Sequence, residues 1–187
     1  QVNDIAPNTI IYTPSSLSLT KDSGMNPATP TVQGGDVVSW EIHPTLPTGL
    51  SIDSTTGTIS GTPAGTSPIS SYTVYANNTG GSATAVLTIE ILEAPPSSIT
   101  YVPGSFTLTK GTPLGTVTVT AEGDPVDSWT ISPNLPTGLN FDQATGGLSG
   151  TPTAVSPLTT YTVTATNNGG SGTTTITIQV NDCLLYT

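Results

Sequence analysis

The sequence predicts an all-β protein built from two tandem Greek-key β-sandwiches. Three observations carry this. Several runs alternate apolar and polar residues with period two, the spacing that sends one face of a strand to a core and the other to water. The 20 glycines and 17 prolines interrupt these runs about every 8–12 residues, the rhythm of short antiparallel strands. The chain also repeats itself: residues 10–93 laid over 99–182 without a gap share 40 identities in 84 positions. No stretch of ten or more residues free of glycine and proline shows a helical period.

Taken in order, residues 1–9 read as the tail of a preceding repeat plus a linker. Gln1-Val2-Asn3-Asp4 recurs as Gln179-Val180-Asn181-Asp182, a separation of 178, twice the 89-residue offset between the copies. Repeat 1 occupies 10–93. Its strands are expected at 37–42, around Trp40, at 72–76, starting from Tyr72, and at 84–91. Residues 94–98, with Pro95 and Pro96 adjacent, form a stiff proline-rich linker. Repeat 2 occupies 99–182, and its residues 173–180 alternate threonine with isoleucine or valine, as a half-buried strand requires. Residues 183–187 are an irregular C-terminal segment in which Leu184-Leu185-Tyr186-Thr187 echoes Ile10-Ile11-Tyr12-Thr13. The tail at the start marks the chain as a piece of a longer array.

Between the strands lies the most specific motif. Leu46-Pro47-Thr48-Gly49-Leu50 leads to Asp53, Gly57 and then Gly61-Thr62-Pro63. It returns as Leu135, Pro136, Gly138, Leu139, Asp142, Gly146, Gly150 and Pro152. Pro47 and Gly49 set a tight turn that delivers Leu50 to the core, Asp53 can cap the next turn through its carboxylate, and Gly57 supplies a positive φ. With Trp40 and Trp129 each six residues before a motif leucine, the pattern resembles the immunoglobulin-like He-PIG family over essentially the whole chain. The resemblance implies immunoglobulin- or cadherin-like sandwiches arranged in tandem on large bacterial and some eukaryotic surface proteins, hence an extracellular, cell-surface location. In such sandwiches the tryptophan is the core pin, and Tyr72 and Tyr161, ahead of the penultimate strand, would form a tyrosine corner. An inter-sheet disulfide is excluded, because Cys183 is the sole cysteine.

Composition narrows the function. Twelve acidic residues against Lys21 and Lys110 give a net charge of -10, with no arginine. Nucleic-acid binding needs cations to displace counterions from phosphate, so that class closes. No apolar run of about 18 residues exists to insert in a membrane. The chain opens with no basic-then-apolar segment, as expected of a processed or interior piece. No enzyme is expected. His43, the sole histidine, is matched by Ser132 in the second copy, and no nucleophile elbow, phosphate loop or zinc spacing occurs. The resemblance to cadherin-like modules raises calcium at unit junctions, for which Asp4, Glu93, Glu122, Asp124, Asp127 and Asp182 are the candidate ligands. The internal joint departs from that pattern, reading Leu92-Glu93 where an asparagine–aspartate pair would stand, and solvated turn acids are the competing reading. Asn77-Asn78-Thr79 is the one N-glycosylation sequon, broken in the second copy, and Cys183 could form an intermolecular disulfide or stand as a plain terminal thiol.

The role expected from these features is a non-catalytic structural module in a tandem array: a rod, a stalk or the subunit of a surface appendage or filament. Its partners would be further copies of the repeat in the same chain, with self-assembly through edge strands such as 84–91. Two alternatives remain open. One is an adhesin that recognises glycan or protein through its end loops, and the other is a passive spacer beside a secreted enzyme.

Overall fold

The computed structural model describes residues 4–183, which contain strands and turns and no helix. The chain divides into two compact units, 1–93 and 94–187. The first holds β1 (Pro7–Ile11), β2 (Ser16–Thr20), β3 (Thr31–Gly34), β4 (Ser39–His43), β5 (Leu50–Ile52), β6 (Ile59–Gly61), β7 (Ser67–Asn78) and β8 (Gly81–Leu92). The second holds β9 (Ser97–Tyr101), β10 (Ser105–Thr109), β11 (Leu114–Val117), β12 (Val119–Glu122), β13 (Ser128–Ser132), β14 (Leu139–Phe141), β15 (Leu148–Gly150), β16 (Ser156–Asn167) and β17 (Gly170–Asn181).

In the first unit a four-stranded sheet, ordered β2-β8-β7-β4, faces the antiparallel pairs β1–β3 and β5–β6. The second unit repeats this as β10-β17-β16-β13 against β12–β9 and β11-β15-β14. Alternation along the long strands fills the core. Val74, Ala76, Leu87, Ile89 and Ile91 point in from β7 and β8 and meet Ile10, Leu50 and Ile59 from the other layer. Val163, Ala165, Ile176 and Ile178 do the same beside Ile99, Leu139 and Leu148. Each such aliphatic side chain contributes about 1.5–3 kcal/mol by leaving water, which lets each unit close without a disulfide.

The strands predicted at 72–76 and 84–91 belong to the twelve-residue β7 and β8, joined by the two-residue turn Thr79-Gly80. One expectation is corrected. Residues 88–91 are not a free edge, because there β8 is flanked by β7 on one side and by β2 on the other, Ser16–Thr20 running parallel to Thr88–Leu92, while residues 84–87 pair with β7. The edges of this sheet are β2 and β4. Period-two alternation reveals which face of a strand is buried but carries no information about its neighbours, and β2 is too short and polar to announce its partner.

The repeated motif folds as its residue types require. The turn at Pro47 closes with Leu50 N–H donating to Pro47 O at 3.0 Å, and Leu50 is buried. Gly49 then lies directly against the strand end that carries Pro63: Thr62 N–H donates to Gly49 O at 2.9 Å, and a Cβ on Gly49 would fall 1.9 Å from Thr62 O. Asp53 caps the following turn, its Oδ1 accepting from Thr55 N–H at 2.8 Å, Thr55 Oγ1–H at 2.6 Å and Thr56 N–H at 3.0 Å. The hydroxyl of Thr55, followed by these backbone donors, holds the Asp53 carboxyl below the usual carboxylate range. Asp142 is lowered in the same way, with the Thr145 hydroxyl first.

The cap ends at Gly57, where φ is 71° and N–H donates to Asp53 O at 2.9 Å. A Cβ there would lie 2.5 Å from Cδ2 of the buried Trp40, so the indole packs on bare backbone. The Gly57 carbonyl accepts the Tyr12 hydroxyl at 2.6 Å, in the core, from the residue between β1 and β2. Tyr101, Gly146 and Trp129 repeat the arrangement, with a hydroxyl-to-carbonyl distance of 2.5 Å and a Gly146 φ of 71°. Tyr72 and Tyr161, expected ahead of the penultimate strand as the bonded corner, sit inside β7 and β16 as buried core residues. The tyrosine that closes onto backbone enters from the start of each unit, 45 residues before its acceptor. Burial pushes the Tyr12 and Tyr101 phenols up to about 12.

Two outcomes follow for stability. Gly57→Ala forces a side chain into the indole at a left-handed φ and is expected to cost the first unit about 3 kcal/mol or more, read as a shifted urea midpoint. Gly65→Ala, whose Cβ meets nothing within 4 Å, is the matched control and should leave the midpoint unchanged. The second outcome concerns alkali. A phenol whose pKa is raised on folding gives stability that is complete below its unfolded value, about 10, and is lost as pH rises through its folded value. Unfolding monitored from pH 9 upward should therefore show stability falling between about 10 and about 12. Replacing both tyrosines with phenylalanine should flatten that slope; an unchanged slope would detach it from these two phenols.

Candidate functional site

The two copies isolate a surface by their differences. Many inward positions of the main sheet carry the same residue in both: Trp40 and Trp129, Ile42 and Ile131, Tyr72 and Tyr161, Val74 and Val163, Ile89 and Ile178. Four outward positions on the same strands diverge together. Glu41, His43, Tyr75 and Val86 in the first unit stand where the second has Thr130, Ser132, Thr164 and Thr175. Strand register gathers the first set. Glu41 lies opposite Tyr75, His43 opposite Thr73, and Thr73 opposite Val86. The His43 and Tyr75 rings meet edge to face, with centroids 5.8 Å apart and planes at 70°. His43 Nε2 is 3.9 Å from Glu41 Oε2, both side chains well exposed, and Val86 is 60% exposed. An aromatic ring, an imidazole, a carboxylate and an aliphatic group thus share one open sheet face. The second unit presents hydroxyls there.

His43 was the only member of this patch singled out by the sequence, as a residue outside any catalytic set. Glu41, Tyr75 and Val86 belong to no motif, and identities between the copies do not reveal them. The signal lay in the mismatches at alternate positions of matched strands.

A second feature lies at the entrance of each unit. Asn78, at the end of β7, donates from Nδ2 to Ile5 O at 2.6 Å and to Asp36 O at 2.9 Å, while its Oδ1 accepts the Gly80 and Gly81 amides. Asn167, buried at the end of β16, donates to Ala94 O at 2.8 Å and accepts from the Gly169 amide. Ala94 N–H in turn donates to Asp124 Oδ2 at 2.8 Å. Residues 94–98, expected as a connector, are thus held within the second unit, where Ser97 already pairs with Glu122. The closeness needs glycine: a Cβ on Gly172 would meet Pro96 O at 2.1 Å.

The acids considered for calcium have other engagements. Asp4 Oδ2 accepts the Thr79 hydroxyl, Asp124 Oδ2 accepts Ala94 N–H, and Asp182 Oδ1 accepts Cys183 N–H. Glu93 buries one carboxylate oxygen, Glu122 is exposed on β12, and Asp127 bonds through its backbone to Thr166 O. Among the described residues, no three His, Cys, Asp or Glu side chains converge as a metal-binding group. The sequon asparagine, Asn77, is partly buried in β7 between Ser39 and Ser82. Cys183 is an exposed free thiol, and the echo at 184–187 falls outside the described residues. Among those residues no helix is long and apolar enough to cross a membrane.

Comparison with known proteins agrees with this architecture. A serine-rich adhesin for platelets from Staphylococcus aureus is 29% identical over 157 residues, 83% of this chain and 6% of the adhesin. Its counterpart in strain MRSA252 is also 29% identical, over 83% of this chain and 11% of its own length. The chain thus spans a small fraction of these curated relatives. Among solved structures, extracellular domains 3–5 of Drosophila OTK superpose with a TM-score of 0.60 at 20% identity, covering 92% of this chain and 62% of that one, a likeness of fold. A family model described as "Putative Ig domain" (He_PIG) matches residues 7–92 and again 95–181, so the chain belongs to this family as two consecutive immunoglobulin-type domains.

Proposed function

We propose that the pair is a non-catalytic structural module of a cell-surface, adhesin-type array, spacing a more distal element from the surface as part of a rod. One observation carries this reading: each unit grips the residues that enter it. Asn167 and Asp124 hold Ala94, and β8 ends at Leu92, so Glu93 alone is left between the last strand of one unit and the clamp of the next. A joint of that length has little freedom to lose, which suits a spacer. The adhesin name of the relatives supports the setting. A second reading has its own observation: the Glu41–His43–Tyr75–Val86 face of the first unit is suited to stack and hydrogen-bond a ligand such as a sugar ring, which would make this unit itself adhesive.

Paired spin labels, one on each unit, test the spacer reading. The expected result is a narrow distance distribution that broadens in the Asn167→Ala, Asp124→Ala double variant. A native distribution as broad as that of a chain with a glycine–serine insertion at Glu93 would sink it. For the adhesive reading, binding to an immobilised glycan panel should be lost in Tyr75→Thr, which copies the second unit and leaves the fold intact. Asp4 and Asp182 already accept from a hydroxyl and an amide, and the array is expected to need no calcium. Melting temperatures in excess calcium and in chelator should coincide, whereas a rise of several degrees in calcium would restore the junction site.

A further inference from the structure

We propose that the first unit takes up an extended peptide, bearing a bulky apolar side chain next to a lysine or arginine, as an added strand along the open edge of β2. A groove of about 480 Å³ runs between β2 and residues 23–28. Leu17, Leu19, Met25 and Ala28 line it, each only partly buried against the core. The far wall belongs to the other layer: Met25 N–H donates to Gly61 O at 3.0 Å and Ala28 N–H to Ile59 O at 2.9 Å. The second unit shows what such a groove accepts. Phe106, Leu114 and Val117 stand there at the positions of Leu17, Met25 and Ala28. Phe106 is 4% exposed, and Leu114–Val117 forms the strand β11 against β15. In the first unit Pro27 and Pro30 reduce the matching contact to a single bridge between Ala28 and Ile59. The first unit thus lacks an aromatic ring and two further carbons that the second packs at these positions. A ring offered by a partner fills that space.

The backbone beside the groove is placed to hold such a strand. Thr88 N–H donates to Ser15 O at 2.9 Å, and Lys21 N–H donates to Leu92 O at 2.9 Å. Alternation between them turns the backbone groups of Leu17 and Leu19 toward β8 and those of Ser16 and Ser18, both exposed, toward the open edge. The other edge of this sheet, β4, already spends an outward amide, Trp40 N–H donating to Ser54 O at 3.0 Å. In a strand added to β2, the residue opposite Leu17 points inward, into the groove, and its neighbours lie on the outer face beside Ser16 and Ser18. Charge then selects those neighbours. Glu90 is the ladder partner of Ser18 on that outer face, where the second unit has the neutral Gln179. Lys21, at the end of β2, is 3.7 Å from Asp22 and so already paired, in a chain of net charge -10. A long cationic side chain laid over the small Ser18 reaches Glu90, whereas an anionic one is repelled.

This goes beyond the spacer reading and does not rest on it, since a spacer needs no open edge. The test is a titration of the whole chain with the peptide acetyl-Ser-Thr-Phe-Lys-Val-Thr-Ser-amide, followed by backbone amide chemical shifts. Saturable shifts are expected in residues 14–28 and 88–92, with slowed hydrogen exchange at the Ser16 and Ser18 amides. Replacing the peptide's phenylalanine with alanine should weaken binding about tenfold or more. Glu90→Gln, which copies the second unit, should weaken it about threefold and reduce its dependence on salt. Leu17→Phe copies the second unit within the groove and should cost about tenfold or more at an unchanged urea midpoint. Ser18→Pro removes an outward amide that β8 does not use and should also abolish binding. The alanine peptide is read on the native chain, so the comparison stands even if a variant fails to fold. Absence of saturation at about 1 mM peptide, shifts elsewhere on the first unit, or equal affinity of a folded Leu17→Phe would overturn the proposal. A sedimentation coefficient that rises with protein concentration, and no longer rises in Leu17→Phe, would assign the groove to a second copy and overturn it too. A flexible joint in the spin-label experiment would leave this test untouched.

Discussion

The carbonyl of Gly57 is the point on which the first unit depends, as that of Gly146 is for the second. A buried carbonyl must be hydrogen-bonded, and the partner supplied is a phenol from the start of the unit, 45 residues away. The same glycine, having no side chain, lets the indole of Trp40 lie on the backbone, and its left-handed φ closes a turn already capped by Asp53. One residue therefore joins the entering chain, the central tryptophan and the motif hairpin. Losing any of the three leaves the others with a void or an unpaired polar group, each worth about 1–3 kcal/mol, in a sandwich that has no disulfide to fall back on. The restriction to Tyr, Trp, Gly and Asp at these positions in both copies follows from that shared dependence.

Much of this was legible without coordinates. Duplication at an offset of 89 and the alternation of Thr173 to Val180 fixed the fold class, and the Leu-Pro-Thr-Gly-Leu motif marked the capped turn. The motif residues are contiguous, so their chemistry is local, and local chemistry is what a sequence displays. Tyr12 was visible only as a repeated residue, because its hydroxyl acts on a partner far along the chain. Pairing of β2 with β8 was hidden for the same reason: the alternation Ser16-Leu17-Ser18-Leu19-Thr20 is that of a strand but names no neighbour. Asn167 and Asp124 tie Ala94, in the segment expected as a linker, to the following unit, and neither residue carries a mark of that duty in the sequence.

Set side by side, the two units separate what packing demands from what it leaves free. Many inward side chains of the main sheet recur unchanged, and exchanges such as Leu87 for Ile176 and Ile91 for Val180 stay apolar, because a close-packed interior tolerates little change in volume and shape. Outward positions are freer, and at four of them the copies part, one toward threonine and serine, the other toward Glu41, His43, Tyr75 and Val86. Threonine suits the wet face of a strand without adding charge, so the second unit can be read as the plain form of the surface and the first as the elaborated one.

The grip of Asn78 and Asn167 on the incoming segment bears on how such a protein can change its length. In each unit the asparagine and the carbonyl it holds lie in the same repeat, Asn78 with Ile5 and Asn167 with Ala94. Each of these grips is therefore internal to its own unit. Recombination that adds or deletes a whole repeat carries the asparagine and its acceptor together, so this grip survives a change in copy number.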